Sequence, residues 1–124
     1  MELQYLLPTT NNYGVLNGAT HVVPVTAPGE GRARLVFTVG VNNLLGGAAI
    51  QLNVFISDAT AGPVRYQIDS VALAANTTYS LSDKFPNGLF VRDTQFIELV
   101  AGGASVLPWH AHWADLPRYA SGMR

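Results

Sequence analysis

QFIELVAGGASVLPWHAHWADL, residues 95–116, is the run whose reading decides the fold. It reads as two strands folded over a turn at Gly102-Gly103, because glycine pairs punctuate strands where the chain must reverse. In the second strand Leu107, Trp109, Ala111 and Trp113 alternate with Pro108, His110 and His112. A period of two puts these sets on opposite faces, one toward a core and one away from it. Trp109 reads as a core residue. Trp113, near the strand end, reads equally as core or as an interface anchor, a role in which tryptophan is enriched.

The same period recurs upstream. In Arg32–Val41, residues Ala33, Leu35, Phe37, Val39 and Val41 share one face and Arg34, Val36, Thr38 and Gly40 the other. In Ala49–Asp58, Ile50, Leu52, Val54 and Ile56 oppose Gln51, Asn53, Phe55 and Ser57; in the strand from Val64 to Leu73, Val64, Tyr66 and Ile68 oppose Arg65, Gln67 and Asp69. Thr77–Leu81 is a strand with Tyr79 and Leu81 inward, and Leu89–Val91 leads into the closing strands. Thr20–Thr26 is β-branched but holds Pro24, which cannot donate to a ladder, so it is expected at a sheet edge. Pro8–Asn12 reads as a turn cluster and Tyr13–Leu16 as a strand ending at the Asn17-Gly18 turn. Helical signal is confined to a single turn within Ser82–Asn87. Seven to nine short strands, with turns about every 8–12 residues, predict an all-β, antiparallel, jelly-roll-like β-sandwich without substantial helix. One domain is expected over residues 1–124, with an extended N-terminal arm over 1–12 and a C-terminal tail over 115–124.

Composition bounds the function. The chain has 124 residues, seven basic and eight acidic side chains, three histidines and no cysteine. At this length it buries roughly 65% of its unfolded surface and needs no covalent staple. A net charge of −1 argues against nucleic acid as the main partner, which calls for a basic face. No apolar run approaches the roughly 18 residues of a membrane-spanning helix, and the start, Met1-Glu2-Leu3-Gln4, lacks the basic residues of a signal peptide. Neither membrane nor nucleic-acid partners are expected. Charged residues make up only 12%, about half the usual share, with Lys84 the single lysine. Interface cores are depleted in charge, so much of the surface is expected to be covered by other subunits.

Sites of chemistry are sparse. On a strand, His110 and His112 point the same way and are the candidates for a metal pair, with His21 and Asp115 as conceivable further donors. Nothing in the sequence brings those donors near, and two outward histidines on a sheet face is the plainer reading. No carboxylate pair has glycosidase character, no serine sits in a Gly-x-Ser-x-Gly elbow, and no phosphate loop is present. No catalytic residue, cofactor or resident metal is expected. Trp113, Tyr119, Phe55, Tyr5, Leu44 and Leu45 are the candidate contact residues.

From Ala49 onwards the chain resembles small virion proteins of tailed bacteriophages. The likeness rests on the segment Leu73-Ala74-Ala75-Asn76-Thr77-Thr78-Tyr79, then the hairpin-like stretch Leu89–Ala101 and a closing strand. Arg92 stands where the pattern has a glycine before the aspartate, Asp93, and the residues after Trp113 lie outside it. The resemblance implies a structural β-sandwich, homo-oligomeric, on the capsid, neck or tail of a virion and made in the host bacterial cytoplasm. Its partners would be copies of itself and other virion proteins. Two further readings follow from the aromatic and histidine content: a carbohydrate- or receptor-binding module built on Trp109, Trp113 and the tyrosines, and a small cupin-like metal enzyme built on His110 and His112.

Overall fold

The structure is a computed structural model describing residues 8–17, 21–43, 49–58, 64–102 and 106–116. It contains β1 (Thr9–Asn17), β2 (His21–Val25), β3 (Gly29–Asn43), β4 (Ile50–Asp58), β5 (Val64–Leu73), β6 (Thr77–Ser80), β7 (Leu89–Asp93), β8 (Gln95–Ala101) and β9 (Val106–Asp115). The only helical element among the described residues is a 3-10 turn at Leu81–Asp83. Two antiparallel sheets face each other. One has the order β1-β9-β3-β6, with β7 also paired to β3; the other has the order β2-β8-β4-β5. That interleaving is the jelly roll, in which neighbours in sequence mostly belong to opposite sheets.

The expected β8–β9 hairpin is therefore not one. β8 pairs with β2 and β4, whereas β9 lies between β1 and β3 in the facing sheet. The two strands face each other from opposite sheets instead of pairing. β7 and β8 behave the same way across Asp93. Each strand has one apolar face that must be buried, and a facing strand buries it as well as a paired one would, so local sequence does not separate the two. β4 and β5 are the one pair of consecutive strands joined in a ladder among the described residues. Asp93, at φ 56°, carries the left-handed turn residue, a conformation that Asp tolerates through its short polar side chain. Arg92 precedes it in the extended backbone of β7, so the missing glycine costs the turn nothing.

Two register slips correct the predicted faces. Between β3 and β9 the pairing jumps from Val36↔Trp113 to Thr38↔His112, leaving Phe37 as the extra residue of a bulge. Parity flips there, so the core receives Val36, Val39 and Val41, while Phe37 turns outward onto His112, ring centroids 5.0 Å apart. Leu35 is buried on the other side, close against Gly88. Between β4 and β5 the pairing jumps from Val54↔Asp69 to Phe55↔Gln67, leaving Ile68 unpaired. Asp69 then shares the inner side with Val54 and accepts a 2.8 Å hydrogen bond from Tyr79 Oη across the gap between the sheets. Thr9–Asn12, expected as a turn, is the first half of β1; its residues keep an unbroken register with β9 from Thr9↔Ala114 to Asn17↔Val106.

The core is aliphatic with three aromatic anchors, Tyr79, Trp109 and Trp113. Leu52, Val54, Ile97, Leu99 and Leu107 are fully buried, each contributing about 1.5–3 kcal/mol relative to exposure. Pro24 sits in β2, an edge strand, at an irregularity between Val22 and Val25, as its missing N–H requires.

Candidate assembly surface

β9 is a central strand, so its alternation sorts its side chains between the two environments of the sheet. Leu107, Trp109, Ala111 and Trp113 face inward and are buried. Trp113, left open between core and contact, belongs to the core at 5% exposure; the Arg34 guanidinium lies 5.0 Å from its ring centroid. Arg34 Nε donates to Asp115 Oδ1 at 2.7 Å, and its Nη1 to the Thr26 carbonyl at 2.6 Å. This clasp ties β3 and β9 to the segment that follows β2.

His110 and His112 face outward and are half-buried. The ladder partners of each share its face. His110 stands between Tyr13 of β1 and Gly40 of β3, and His112 between Asn11 and Thr38. The imidazole of His110 packs against Gly40: a Cβ there would sit 2.8 Å from Nε2 and 2.9 Å from Nδ1. On the inner face Gly14 does the same for Trp109, whose Cε2 would be 2.7 Å from an added Cβ. Two glycines thus admit two rings onto opposite sides of one sheet.

Following the register, the outer face from β1 through β9 and β3 to β6 presents Thr, Asn, Tyr, Val, Pro, His, Gly and Ser. No Asp, Glu, Lys or Arg stands on it among the described residues. Tyr13 is 71% exposed, Val15 54% and Val106 45%. Phe90, opposite Leu35 on β7, extends the same side and is also exposed, with Arg92, opposite Ala33, as the charged residue at that end. Among the described residues, four of the five large exposed apolar side chains therefore lie on one sheet face, Tyr66 being the fifth. Clustering of this kind marks contact surfaces, whereas isolated exposed apolar residues do not. Sequence reasoning named none of these four. Tyr13 and Val15 stand at alternate positions of TTNNYGVLN, a period-two signal that the turn reading of Pro8–Asn12 cuts short.

The outer face of the other sheet is built differently. Glu98 of β8 is 5% exposed although it points away from the core. Its carboxylate accepts from Ser57 Oγ at 3.1 Å and from Arg65 Nη2 at 2.9 Å, and His21 Nε2 lies 3.7 Å away. Phe55, one of the expected contact residues, is half-buried in this group with the Arg65 guanidinium 5.0 Å from its ring centroid. A carboxylate is kept charged under cover only when its oxygens are paired, and here both are. Tyr5, Leu44, Leu45 and Tyr119 fall outside the described residues.

Chemistry finds little purchase. His21 lies on the sheet opposite His110 and His112, and among the described residues no three His, Cys, Asp or Glu side chains are grouped to hold a metal ion. No helix among them is long and apolar enough to cross a membrane.

No family model matches the chain, and no curated protein matches its sequence. Solved structures do share the fold. An acid-stable capsid structure of Helicobacter pylori bacteriophage KHP30 aligns at TM-score 0.54 and 12% identity over 88% of each chain. The Drosophila NLP-core, described for pentamer formation and histone binding, aligns at 0.52 and 8% identity over 86% of this chain and 97% of that one. A pilus of Bacillus endospore appendages aligns at 0.45 and 9% identity, over 90% and 91%. At these identities the likeness is one of fold: this chain is an antiparallel β-sandwich of the kind found in a phage capsid structure and in the NLP-core.

Proposed function

We propose that the chain is a non-enzymatic structural protein of a bacteriophage particle, assembling as a homo-oligomer on the capsid, neck or tail. The observation that carries this reading is the part of the outer sheet face formed by β1, β9, β3 and β6, uncharged among the described residues, with Tyr13, Val15 and Val106 exposed on it. A soluble protein with 12% charged residues still has enough charge to place some on every face. Concentrating the apolar side chains where charge is absent makes a surface suited to burial against another uncharged one. The shared fold with a bacteriophage capsid structure supports the particle; the pentamer described for the NLP-core supports assembly of this fold into closed rings. Copies of the chain and other virion proteins are its partners, and binding is its whole mechanism.

Size-exclusion chromatography with light scattering, together with proteomics of purified particles, tests the proposal. A discrete oligomer present in virions is expected; a monomer absent from virions refutes it. The carbohydrate-binding alternative loses the two tryptophans that motivate it, since Trp109 and Trp113 lie in the core at 7% and 5% exposure, and keeps only the exposed tyrosines Tyr13 and Tyr66. The metal-enzyme alternative has two histidines on a sheet face and, among the described residues, no third His, Cys, Asp or Glu grouped with them.

A further inference from the structure

Edge strands present unpaired N–H and C=O groups, and proteins that stay apart protect them with charge, proline, irregularity or shortness. β2 has Pro24 and a register slip. β5 has Arg65, Asp69 and the slip at Ile68. β6 is four residues long, and β7 is five with Arg92 and Asp93. β1 has none of these. It runs for nine residues, TTNNYGVLN, without a charge, a proline or a break in its register with β9. The one local feature on it is Asn12, whose side chain accepts from the Tyr13 N–H at 3.0 Å and donates to the Pro24 carbonyl at 3.0 Å.

We infer that β1 is an assembly edge that pairs antiparallel with β1 of a second copy about a two-fold axis, joining two sheets into one. The inference rests on the homo-oligomer part of the proposed function. Three observations fix the partner and the register. A two-fold axis lays the strand antiparallel against an identical copy, so a strand carrying charge of one sign would repel its partner; β1 and the β9 face beside it carry no charge. Tyr13 is the middle residue of Thr9–Asn17, and an axis through it pairs all nine residues. In that register Tyr13 opposes Tyr13 of the second copy, and Asn11 opposes Val15. Odd residues then meet odd residues, so the outer faces of the two sheets become one continuous outer face, as the pleat demands. The exposed Tyr13 and Val15 side chains stack across the seam, where aromatic and β-branched cross-strand pairs are favourable. The ladder replaces the local Asn12 bond to the Tyr13 N–H.

The chain has no cysteine, so single-cysteine variants report on the seam without background. Directly opposed Cβ atoms in an antiparallel pair are about 4.5–5.5 Å apart, close enough for a disulfide after small adjustment. Tyr13→Cys is expected to give a reducible disulfide dimer under mild oxidation, several-fold more than Gln67→Cys on β5. Asn11→Cys and Val15→Cys are expected to cross-link to each other when mixed but not to themselves, their self-pairs being offset by four residues, roughly 13 Å. The two sets keep the test valid if one variant fails to fold. An oligomer by light scattering in which Tyr13→Cys cross-links no better than Gln67→Cys, and the mixed pair no better than either alone, overturns the β1 seam and leaves the proposed function standing. A wild-type chain that stays monomeric at high concentration overturns both.

Discussion

The two ring-bearing glycines allow one substitution to be made on both sides of a single sheet. Gly14→Ala puts a methyl against the inward face of Trp109, 2.7 Å from Cε2, 2.9 Å from Nε1 and closer still to Cζ2. The indole is 7% exposed and held among core side chains, so it has nowhere to go. Overpacking of this kind costs about 1–3 kcal/mol. The loss of glycine's freedom in the unfolded chain returns about 0.4–1 kcal/mol. β1 is an edge strand and can bow outward, which holds the cost to the lower part of the range. The net expectation is a destabilisation of about 0.5–1.5 kcal/mol. Gly40→Ala makes an equally close contact, 2.8 Å from His110 Nε2, but that ring lies on the outer face. Swinging it to another rotamer costs about 0.5–1.5 kcal/mol, and the same unfolded-state gain offsets most of that, so a change near zero is expected. Urea denaturation followed by tryptophan fluorescence measures both. Adding Trp109→Phe makes room beside residue 14, and the Gly14→Ala cost should fall by at least about 0.5 kcal/mol in that background. Equal costs for the two alanine variants, or a Gly14→Ala cost unchanged by Trp109→Phe, would refute the packing argument.

Glu98→Gln should destabilise by about 1–3 kcal/mol, because Arg65 and Ser57 lose a charged acceptor under cover; in an Arg65→Met background the loss should shrink, and an undiminished loss would show that the pair is not coupled. Arg34→Lys should cost about 1–2 kcal/mol, since an ammonium cannot bond Asp115 and Thr26 at once in the guanidinium's planar fork; a cost below about 0.5 kcal/mol would place the clasp's value in its aliphatic stem instead. The Asp69–Tyr79 pair predicts two pH limits. Burial alone would raise the Asp69 carboxyl, but hydrogen bonds from Tyr79 and the Ser70 N–H, with the Lys84 charge, outweigh it and hold the carboxyl below its ordinary value. Its contribution is therefore present above the ordinary aspartate range and lost as pH falls through the depressed value. Burial, then the Asp69 acceptor, pushes the Tyr79 phenol well up, so that contribution is complete below about pH 10 and is lost as pH rises further. Stability measured against pH should lose its acid component in Asp69→Asn and its alkaline component in Tyr79→Phe; unchanged curves would count against the pair.

Much of this molecule is written in alternation. Leu107, Trp109, Ala111 and Trp113 lie inside and His110 and His112 outside, as a period of two requires, and Leu52 and Val54 are buried while Phe55 turns outward. Pro24 marks an edge because it lacks a donor, a fact about one residue that no neighbour can alter. The Phe37 bulge escaped the reading because Leu35, Val36, Phe37 and Val39 are all apolar, so hydrophobicity cannot show where parity flips. Glu98 escaped it because a charged side chain on an outer face is ordinarily exposed. Only Ser57, Arg65 and His21, brought from three other strands, explain its burial.

The 95–116 stretch divides the two kinds of information. Sequence alone determined that it contains two strands, which face of the second is apolar, and that its histidines sit opposite its tryptophans. Those are properties of the backbone pleat and act over a few residues. Tertiary structure alone decided that β8 and β9 lie in opposite sheets, that β1 runs beside β9, and that Tyr13 stands next to His110. The reason is that apolar faces carry no label of their partner. Strands distant in the chain compete for them, and the arrangement that buries all nine at once is chosen by the whole sandwich.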